Sequence, residues 1–424
     1  MASVESRGVD KQGNERWRLI VEGPKKLDGT RNQIKRSFKG TEKQAKKAAL
    51  KLEIEVNKPQ YIEPSKETFS QHVARWLEVH GETIQPKTLY RYKELLDRII
   101  PYIGALPVER IRIETIEDLY RSLAKEQRQD RKEGTLSAKT IQHHARVLHT
   151  VLEYAVKRQL IPSNPATYVK PPSAKSKDIQ YFNEEQITKL MEVLEEESIL
   201  NKTLVNLALS TGARAGELAA LTWDDIDTEK KTVRINKSAQ YLPGLGSNHK
   251  KEPKTESSKR TVTVSASVIF LLRMLKNEQE SQKEELGTKW IDSNSVFCGW
   301  NGAPVHPEYP SHWWHKFIRK PRFEIVKESI YIKRFRKTIT IEMCRKINLP
   351  LVSFHGLRHS CASLLLSKGQ NPVAVAKRLG HANTNVTLKV YAHTYQKDDQ
   401  VNADIMGKIL DGKADKKETK AINK

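Results

Sequence analysis

Apolar and polar positions alternate in two early stretches, 17–22 (Trp-Arg-Leu-Ile-Val-Glu) and 33–38 (Gln-Ile-Lys-Arg-Ser-Phe). They flank a turn region with Pro24 and Gly29, which predicts antiparallel strands. The period then changes. Thr41 followed by Gln44 forms a capping box for a helix to about Asn57, with Ala45, Ala48, Ala49, Leu52 and Val56 as its inward stripe. Pro59 and Pro64 mark a linker. From Phe69 to about Gln159 apolar residues recur at three- and four-residue steps. Val73, Trp76 and Leu77 begin the run; Leu89, Tyr92, Leu95, Leu96 and Ile99 follow. Pro101, Gly104 and Pro107 break it, and Ile116, Leu119, Tyr120 and Leu123, then Ile141, Ala145, Leu148, Leu152, Tyr154 and Ala155, resume it. Four helices are expected.

Pro162, Pro165, Pro171 and Pro172, with Ser173, Lys175 and Lys177 after them, predict a second linker. Asn183 and Gln186 form another capping box and open the last large segment. There, Leu204, Leu207, Ala208 and Leu209 belong to a helix that stops at Thr211-Gly212, and Arg214 starts a new helical stretch. Residues 232–235 and 260–264 read as strands, joined by a loop holding Gly244, Gly246, Pro253 and Lys254. Residues 305–350 read as helical and lying partly against a polyanion. Their 11 Lys/Arg against 4 Asp/Glu, with Trp313 and Trp314, prompt that expectation. Val401, Ile405, Ile409 and Leu410 form a short helix-spaced stripe before a Lys-rich end.

A chain of 424 residues suffices for two to four domains. No apolar run approaches the ~20 residues that span a bilayer, and residues 1–20 lack the apolar core of a secretory signal. Cys298, Cys344 and Cys361 show no C-x-x-C spacing, so a disulfide framework or a zinc site is not expected, and a reducing cytoplasm fits. The formal charge of +23 changes the picture most. Lys and Arg recur in every segment; residues 1–60 alone hold 15 against 8 acidic residues. A surface of that kind attracts polyanions, and nucleic acid is the expected partner. Lys87, Arg91, Lys139 and His143 fall near predicted helix starts, where backbone N–H groups also draw phosphate.

Candidate chemistry gathers late in the chain. His355, Arg358, His381 and Tyr391 fall within 37 residues, in Phe354-His355-Gly356-Leu357-Arg358-His359, Leu379-Gly380-His381 and Val390-Tyr391-Ala392-His393. A second Arg stands upstream, in Thr211-Gly212-Ala213-Arg214-Ala215-Gly216-Glu217. A phosphodiester repels nucleophiles, so cleaving one requires neutralised oxygens, an in-line nucleophile and a protonated leaving group. Arg214 and Arg358 suit the first task, because a guanidinium stays charged and binds phosphate oxygens in pairs. His355 shares a helix face with Arg358. Tyr391 suits the second, since a phenol oxygen forms a phosphoester that conserves the bond energy without nucleotide or metal. Taken singly, each has a bland reading: a surface Arg, a packed His, a core Tyr. The four histidines do not compose a metal motif, since H-E-x-x-H is absent.

Together these motifs, in this order and at these separations, resemble the tyrosine recombinases (phage-type integrases). The resemblance implies a multidomain α/β (α+β) chain, mostly helical. Residues 1–60 would be a small sheet-plus-helix arm-type DNA-binding domain, with Arg18, Lys35 and Arg36 in a major groove. Residues 66–162 would be a helical core-binding domain contacting DNA through Lys87, Arg91 and Lys139, 178–400 the mixed catalytic domain, and 401–424 a C-terminal tail. Lys254, in its Pro-Lys-Thr context, matches the family's hairpin lysine and would protonate the leaving 5′ oxygen, with Lys250, Lys251 and Lys259 as nearby competitors for that role. His381 would hydrogen-bond the phosphate, and Glu217 would pack as a partner of Arg214. The implied activity is integration and excision of a mobile element through a 3′-phosphotyrosyl intermediate and a Holliday junction. It needs no cofactor and no metal. The implied partners are double-stranded DNA attachment sites, three further copies forming a tetramer on DNA, a directionality factor and a host DNA-bending protein. The setting would be cytoplasmic and nucleoid-associated. Two rivals are a topoisomerase-like nicking and closing enzyme and a sequence-specific DNA-binding protein with a decayed site.

Overall fold

A computed structural model describes residues 2–10, 12–23, 31–57, 65–128, 133–174, 179–244, 246–251, 259–332, 337–346, 349–381, 383, 403, 404, 406, 407 and 410. Strand residues 247–251, 323–332 and 337–346 are described by backbone alone. The chain divides into two units, residues 1–176 and 177–424.

In the first unit, β1 (Ala2–Val9), β2 (Glu15–Gly23) and β3 (Asn32–Lys39) form an antiparallel sheet in that order. The sequence reading passes over β1, because only Ala2 and Val4 of that strand pack on the core. Helix α1 (Glu42–Val56) covers one face, burying Ala45, Ala49, Leu52 and Val56 against Leu19, Val21 and Ile34. Its capping box closes as expected, with Gln44 Oε1 accepting from the Thr41 amide at 3.0 Å. Register corrects one grouping. Arg18 faces Ser37 and Lys35 faces Ile20, whereas Arg36 faces the buried Leu19. Arg36 therefore lies on the helix side, 3.7 Å from Glu55 of α1, and not on the open face with Arg18 and Lys35.

A second core in the same unit joins α2 (Phe69–Gly81), α3 (Pro86–Ile103), α4 (Ile113–Lys125) and α5 (Ala138–Lys157). Helix α3 runs through Pro101 instead of breaking there. The bond that Pro101 cannot make would fall on the carbonyl of the exposed Asp97, while Ile99 and Ile103 are buried on the other side. Burying a side chain of that kind is worth about 1.5–3 kcal/mol.

The second unit contains α6 (Glu184–Leu194), α7 (Ile199–Thr211), α8 (Ala215–Ala219), β4 (Ile226–Asp227), β5 (Thr232–Ile235), β6 (Ser238–Leu242), β7 (Gly246–Lys251), β8 (Arg260–Thr263), α9 (Ala266–Leu286), α10 (Tyr309–Phe317), β9 (Phe323–Ile332), β10 (Lys337–Lys346), α11 (Phe354–Ser367) and α12 (Pro372–Leu379). Strands β4, β5 and β8 form one antiparallel sheet. The expected loop after β5 is instead partly a hairpin, β6 with β7. The main apolar core gathers α6 to α11 and the three-stranded sheet, and a smaller one joins α11 to α12.

Residues 305–350 depart from the helical expectation. Among the described residues there, only Tyr309–Phe317 is helical, and β9 and β10 pair antiparallel from Phe323–Lys346 to Ile332–Lys337. Ile325, Val326, Ile330, Ile332, Thr338, Ile339, Thr340 and Ile341 supply the β-branched content of a strand pair, which the lysines and arginines mask. Trp314 does not face a polyanion either. It is 1% exposed, with Nε1 donating to the Val352 carbonyl at 2.7 Å, and Trp313 packs beside it. Of the tail, residues 403, 404, 406, 407 and 410 are described and helical, with Leu410 exposed. Val401, Ile405 and Ile409 lie outside the described residues.

Candidate active site

Two helix C-termini meet in the second unit. Helix α7 stops at Gly212, whose φ of 62° is left-handed, and α12 stops at Gly380, with φ of 70°. Helix ends leave carbonyls without helical partners and carry partial negative charge. Three arginines fill the seam, Arg358 and Arg260 from other elements and Arg378 from α12 itself. Arg358 of α11 donates through Nη1 to the carbonyls of Gly212 and Leu379, each at 2.7 Å. Arg260 of β8 donates through Nε to the Arg378 carbonyl at 2.7 Å. Arg378 donates to the Ser210 carbonyl at 2.6 Å and to the Thr263 carbonyl at 3.0 Å. Small size at Gly212 is favoured, because a Cβ there would collide with the side chain of the buried Leu379, which would have to shift.

The turn after Gly212 delivers Arg214 to the start of α8. Glu217, one turn on and 4% exposed, accepts from the Arg214 amide at 3.0 Å and from Arg214 Nη1 at 2.7 Å. Its other neighbour is Arg260, whose Nη2 donates to Oε2 at 2.9 Å. Burial alone would raise the carboxyl, but charge and hydrogen bonding from Arg260 and Arg214 outweigh it and hold Glu217 below the usual carboxylate value.

Helix α11 starts at Ser353, whose hydroxyl accepts from the Gly356 amide at 3.2 Å. That start places His355 and Arg358 one turn apart, with Arg358 3% exposed. His381 follows Gly380, its amide donating to the Ala376 carbonyl at 3.0 Å. The imidazoles report how closely these groups share one field. Burial, then Arg358, Arg214, His359 and Arg260, push His381 down to about 4. Burial, then Arg358 and Arg214, lower His355 as well, with Glu217 opposing in part. His359 meets His355 edge-on at 5.0 Å and is also pushed down to about 4, by burial, His355 and Arg358. Near neutral pH these rings are uncharged, and each offers one donor and one acceptor nitrogen.

Arg214, His355, Arg358 and His381 thus come together although 167 positions separate the first from the last. Lys254 and Tyr391 lie outside the described residues, as does His393. Sequence reasoning misses Arg260 and Arg378. Arg260 opens an ordinary alternating strand, and the only hint for Arg378 is its place directly before Leu379-Gly380-His381. Among the described residues, no group of three or more His, Cys, Asp and Glu could hold a metal ion.

In the first unit Lys87 and Arg91 occupy the first two turns of α3, and Lys139 the first turn of α5. The His143 imidazole is lowered by burial, then by Arg146, Lys139 and Arg91, so these cations form one patch spanning α3 and α5. Arg91 also pairs with Glu94 at 3.0 Å. Among the described residues, no helix is long and apolar enough to cross a membrane.

Two arginines and two histidines held toward the neutral form on one seam offer the lasting charge and hydrogen-bonding groups that a phosphodiester calls for. Residues 180–398 match the model of the phage integrase family, and residues 68–124 that of the phage integrase N-terminal SAM-like domain. The chain belongs to the phage integrase family: it is a tyrosine recombinase, a DNA strand-transfer enzyme. Among curated relatives it is similar to the ICEBs1 integrase of Bacillus subtilis (strain 168), at 28% identity over 66% of this chain and 68% of that one. Among solved structures it resembles the Tn1549 transposon integrase in complex with a circular intermediate DNA. That likeness has a TM-score of 0.63 and 19% identity, covering 80% of this chain and 99% of that one. It also resembles a lambda integrase tetramer bound to a Holliday junction (TM-score 0.50, 16% identity, 89% and 95% covered).

Proposed function

We propose that the protein integrates and excises a mobile element, cutting and rejoining DNA at defined sites through a 3′-phosphotyrosyl intermediate on Tyr391. The observation that carries this reading is the seam on which Arg214, Arg358, His355 and His381 converge. A scissile phosphate gathers further negative charge as a fifth oxygen attacks. Two guanidinium groups, Arg358 held by two carbonyls and Arg214 by the Glu217 carboxylate, meet that charge with little reorganisation. Loss of one such contact typically slows an enzyme about 10²–10³-fold. The neutral imidazoles of His355 and His381 orient the phosphate by hydrogen bonding, without adding a charge that titrates near neutrality. In this reading Tyr391 attacks, Lys254 protonates the departing 5′ oxygen, and reversal of the step by a 5′ hydroxyl rejoins the strands.

The same reading gives residues 1–60 the arm-type contacts, with Arg18 and Lys35 leading and Arg36 secondary. Residues 66–162 take the core-site contacts through Lys87, Arg91 and Lys139, 178–400 the catalysis, and 401–424 the tail. Four copies would exchange strands through a Holliday junction in the cytoplasm, on the nucleoid, assisted by a directionality factor and a DNA-bending protein. The test begins by footprinting the protein on DNA flanking its coding sequence. Duplexes carrying the protected core are then incubated with it in EDTA without nucleotide. A protein-DNA adduct on the 3′ phosphate, and recombination between two such duplexes, is expected. A strict need for a divalent ion in cleavage, or a 5′ linkage, would overturn the mechanism.

A further inference from the structure

We propose that Arg260 is a positioning residue of the strand-transfer site, coupling the phosphate-binding Arg214 to the turn that carries His381. The inference rests on the functional reading above. Arg260 is 5% exposed at its side chain and bridges Glu217 of α8 and the end of α12. Its Nη2 donates to Glu217 Oε2 at 2.9 Å, and Glu217 holds Arg214 through Nη1 and through its amide. Its Nε donates to the Arg378 carbonyl at 2.7 Å, three residues before His381. Gly380 comes so near the guanidinium that a Cβ would stand 2.9 Å from Nη1.

Stability does not explain such a group. A buried ion pair is commonly replaced by apolar side chains of similar volume with no loss of stability. Charge does explain it. Glu217 alone would cancel the charge of Arg214, leaving a neutral pair where a phosphate must be gripped. A second guanidinium on the far side of the carboxylate restores a net positive charge to the trio, and because Arg260 and Glu217 are buried while Arg214 is 41% exposed, that added charge is little screened behind the arginine that faces solvent. Glu217 then keeps Arg214 in place without neutralising the site. The bond to the Arg378 carbonyl ties that arrangement to His381, so one side chain sets the spacing between two groups on different elements.

The test uses the full-length protein and two core-site duplexes, one with an ordinary scissile phosphate and one with a methylphosphonate there. The methylphosphonate removes one charged oxygen, so it lessens the need for a cation. Arg260→Met should lose cleavage about 10²-fold on phosphate, and at least about tenfold of that loss should disappear on methylphosphonate. Arg214→Ala should show the same pattern, and the double variant should be no slower than Arg214→Ala alone. Arg260→Lys keeps the charge and should recover part of the phosphate activity. Equal losses of Arg260→Met on both duplexes, additive with Arg214→Ala, would overturn the coupling. So would a rate within about threefold of wild type. If Arg260→Met fails to fold, Arg260→Lys decides by the same ratio: a loss no smaller on methylphosphonate contradicts the proposal. Tyr391→Phe separates this from the underlying reading, because cleavage of either duplex by that variant would remove the nucleophile assignment and not the coupling.

Discussion

Replacing Gly212 by Ala, beside the same change at Gly369, isolates the packing that holds the seam together. Both glycines have left-handed φ, 62° and 77°. An L-residue there costs about 1–2 kcal/mol, offset by about 0.4–1 kcal/mol from the stiffer unfolded chain. Gly369→Ala meets nothing within 4 Å and should therefore stop at a net loss of about 0–1.6 kcal/mol. Gly212→Ala adds a collision with Leu379, a fully buried side chain. Forcing an extra methyl into a packed core costs about 1–3 kcal/mol more. At about 2–4 °C per kcal/mol for a unit of this size, Gly212→Ala should melt several degrees below Gly369→Ala. Function should separate them further. The collision is with the Leu379 side chain, and relief by a shift at the end of α12 would move the Leu379 carbonyl, which with that of Gly212 fixes Arg358 at 2.7 Å. Hydrogen bonds to charged groups are worth about 1.5–3 kcal/mol, so adduct formation on a core-site duplex should slow roughly 10- to 150-fold. Gly369→Ala should react at the wild-type rate. Equal melting shifts for the two variants, or undiminished cleavage by Gly212→Ala, would refute the seam as described.

Three further outcomes are expected. His381 and His359 are held near about 4 against a usual 6.5, so the unfolded chain binds more protons between those values. Stability is fully present above about 6.5 and falls as pH drops toward 4; urea midpoints across this range should lose part of that slope in the His359→Gln/His381→Gln double variant, and an unchanged slope would count against the burial assigned to these rings. If Lys254 is the general acid, a 5′-bridging phosphorothiolate, whose sulfur leaves unprotonated, should rescue cleavage by Lys254→Ala; a defect and rescue in Lys251→Ala or Lys259→Ala instead would move the role. Deleting residues 1–60 removes a sheet and helix with their own core, so it should abolish binding to distal arm sequences and spare covalent attack at a core site; loss of core-site cleavage would contradict the arm assignment.

Local periodicity makes much of this architecture legible. The strands at 17–22 and 33–38, the stripe of α1 and the four helices beyond the first linker each follow from spacing that a single segment carries. The capping boxes at Thr41 and Asn183 fall where side-chain chemistry requires them. Composition misleads where it competes with period: the basic residues of 305–350 obscure the β-branched alternation of β9 and β10. Pro101 reads as a break because proline removes a helical hydrogen bond, although the stripe through Leu95, Ile99 and Ile103 leaves that bond on the solvent side. The site divides in the same way. Arg214, His355, Arg358 and His381 stand in compact motifs, whereas Arg260 and Arg378 act through carbonyls of remote segments. Arg378 reaches Ser210 across 168 positions, and no local pattern records such a bond.

The measurement that bears most directly on the chemistry is identification of the residue that becomes attached to DNA. Adduct trapped on a nicked core-site duplex is digested with trypsin and nuclease, and the nucleotidyl peptide is sequenced by mass spectrometry. Cleavage after Lys389 and Lys397 yields a peptide holding both Tyr391 and Tyr395, so fragment ions must distinguish them. The nucleotide is expected on Tyr391, joined through a 3′ phosphate, with no adduct from Tyr391→Phe although that variant binds the duplex normally. A nucleotide on Tyr395 or any other side chain, or an adduct from Tyr391→Phe that survives denaturation, would contradict the mechanism.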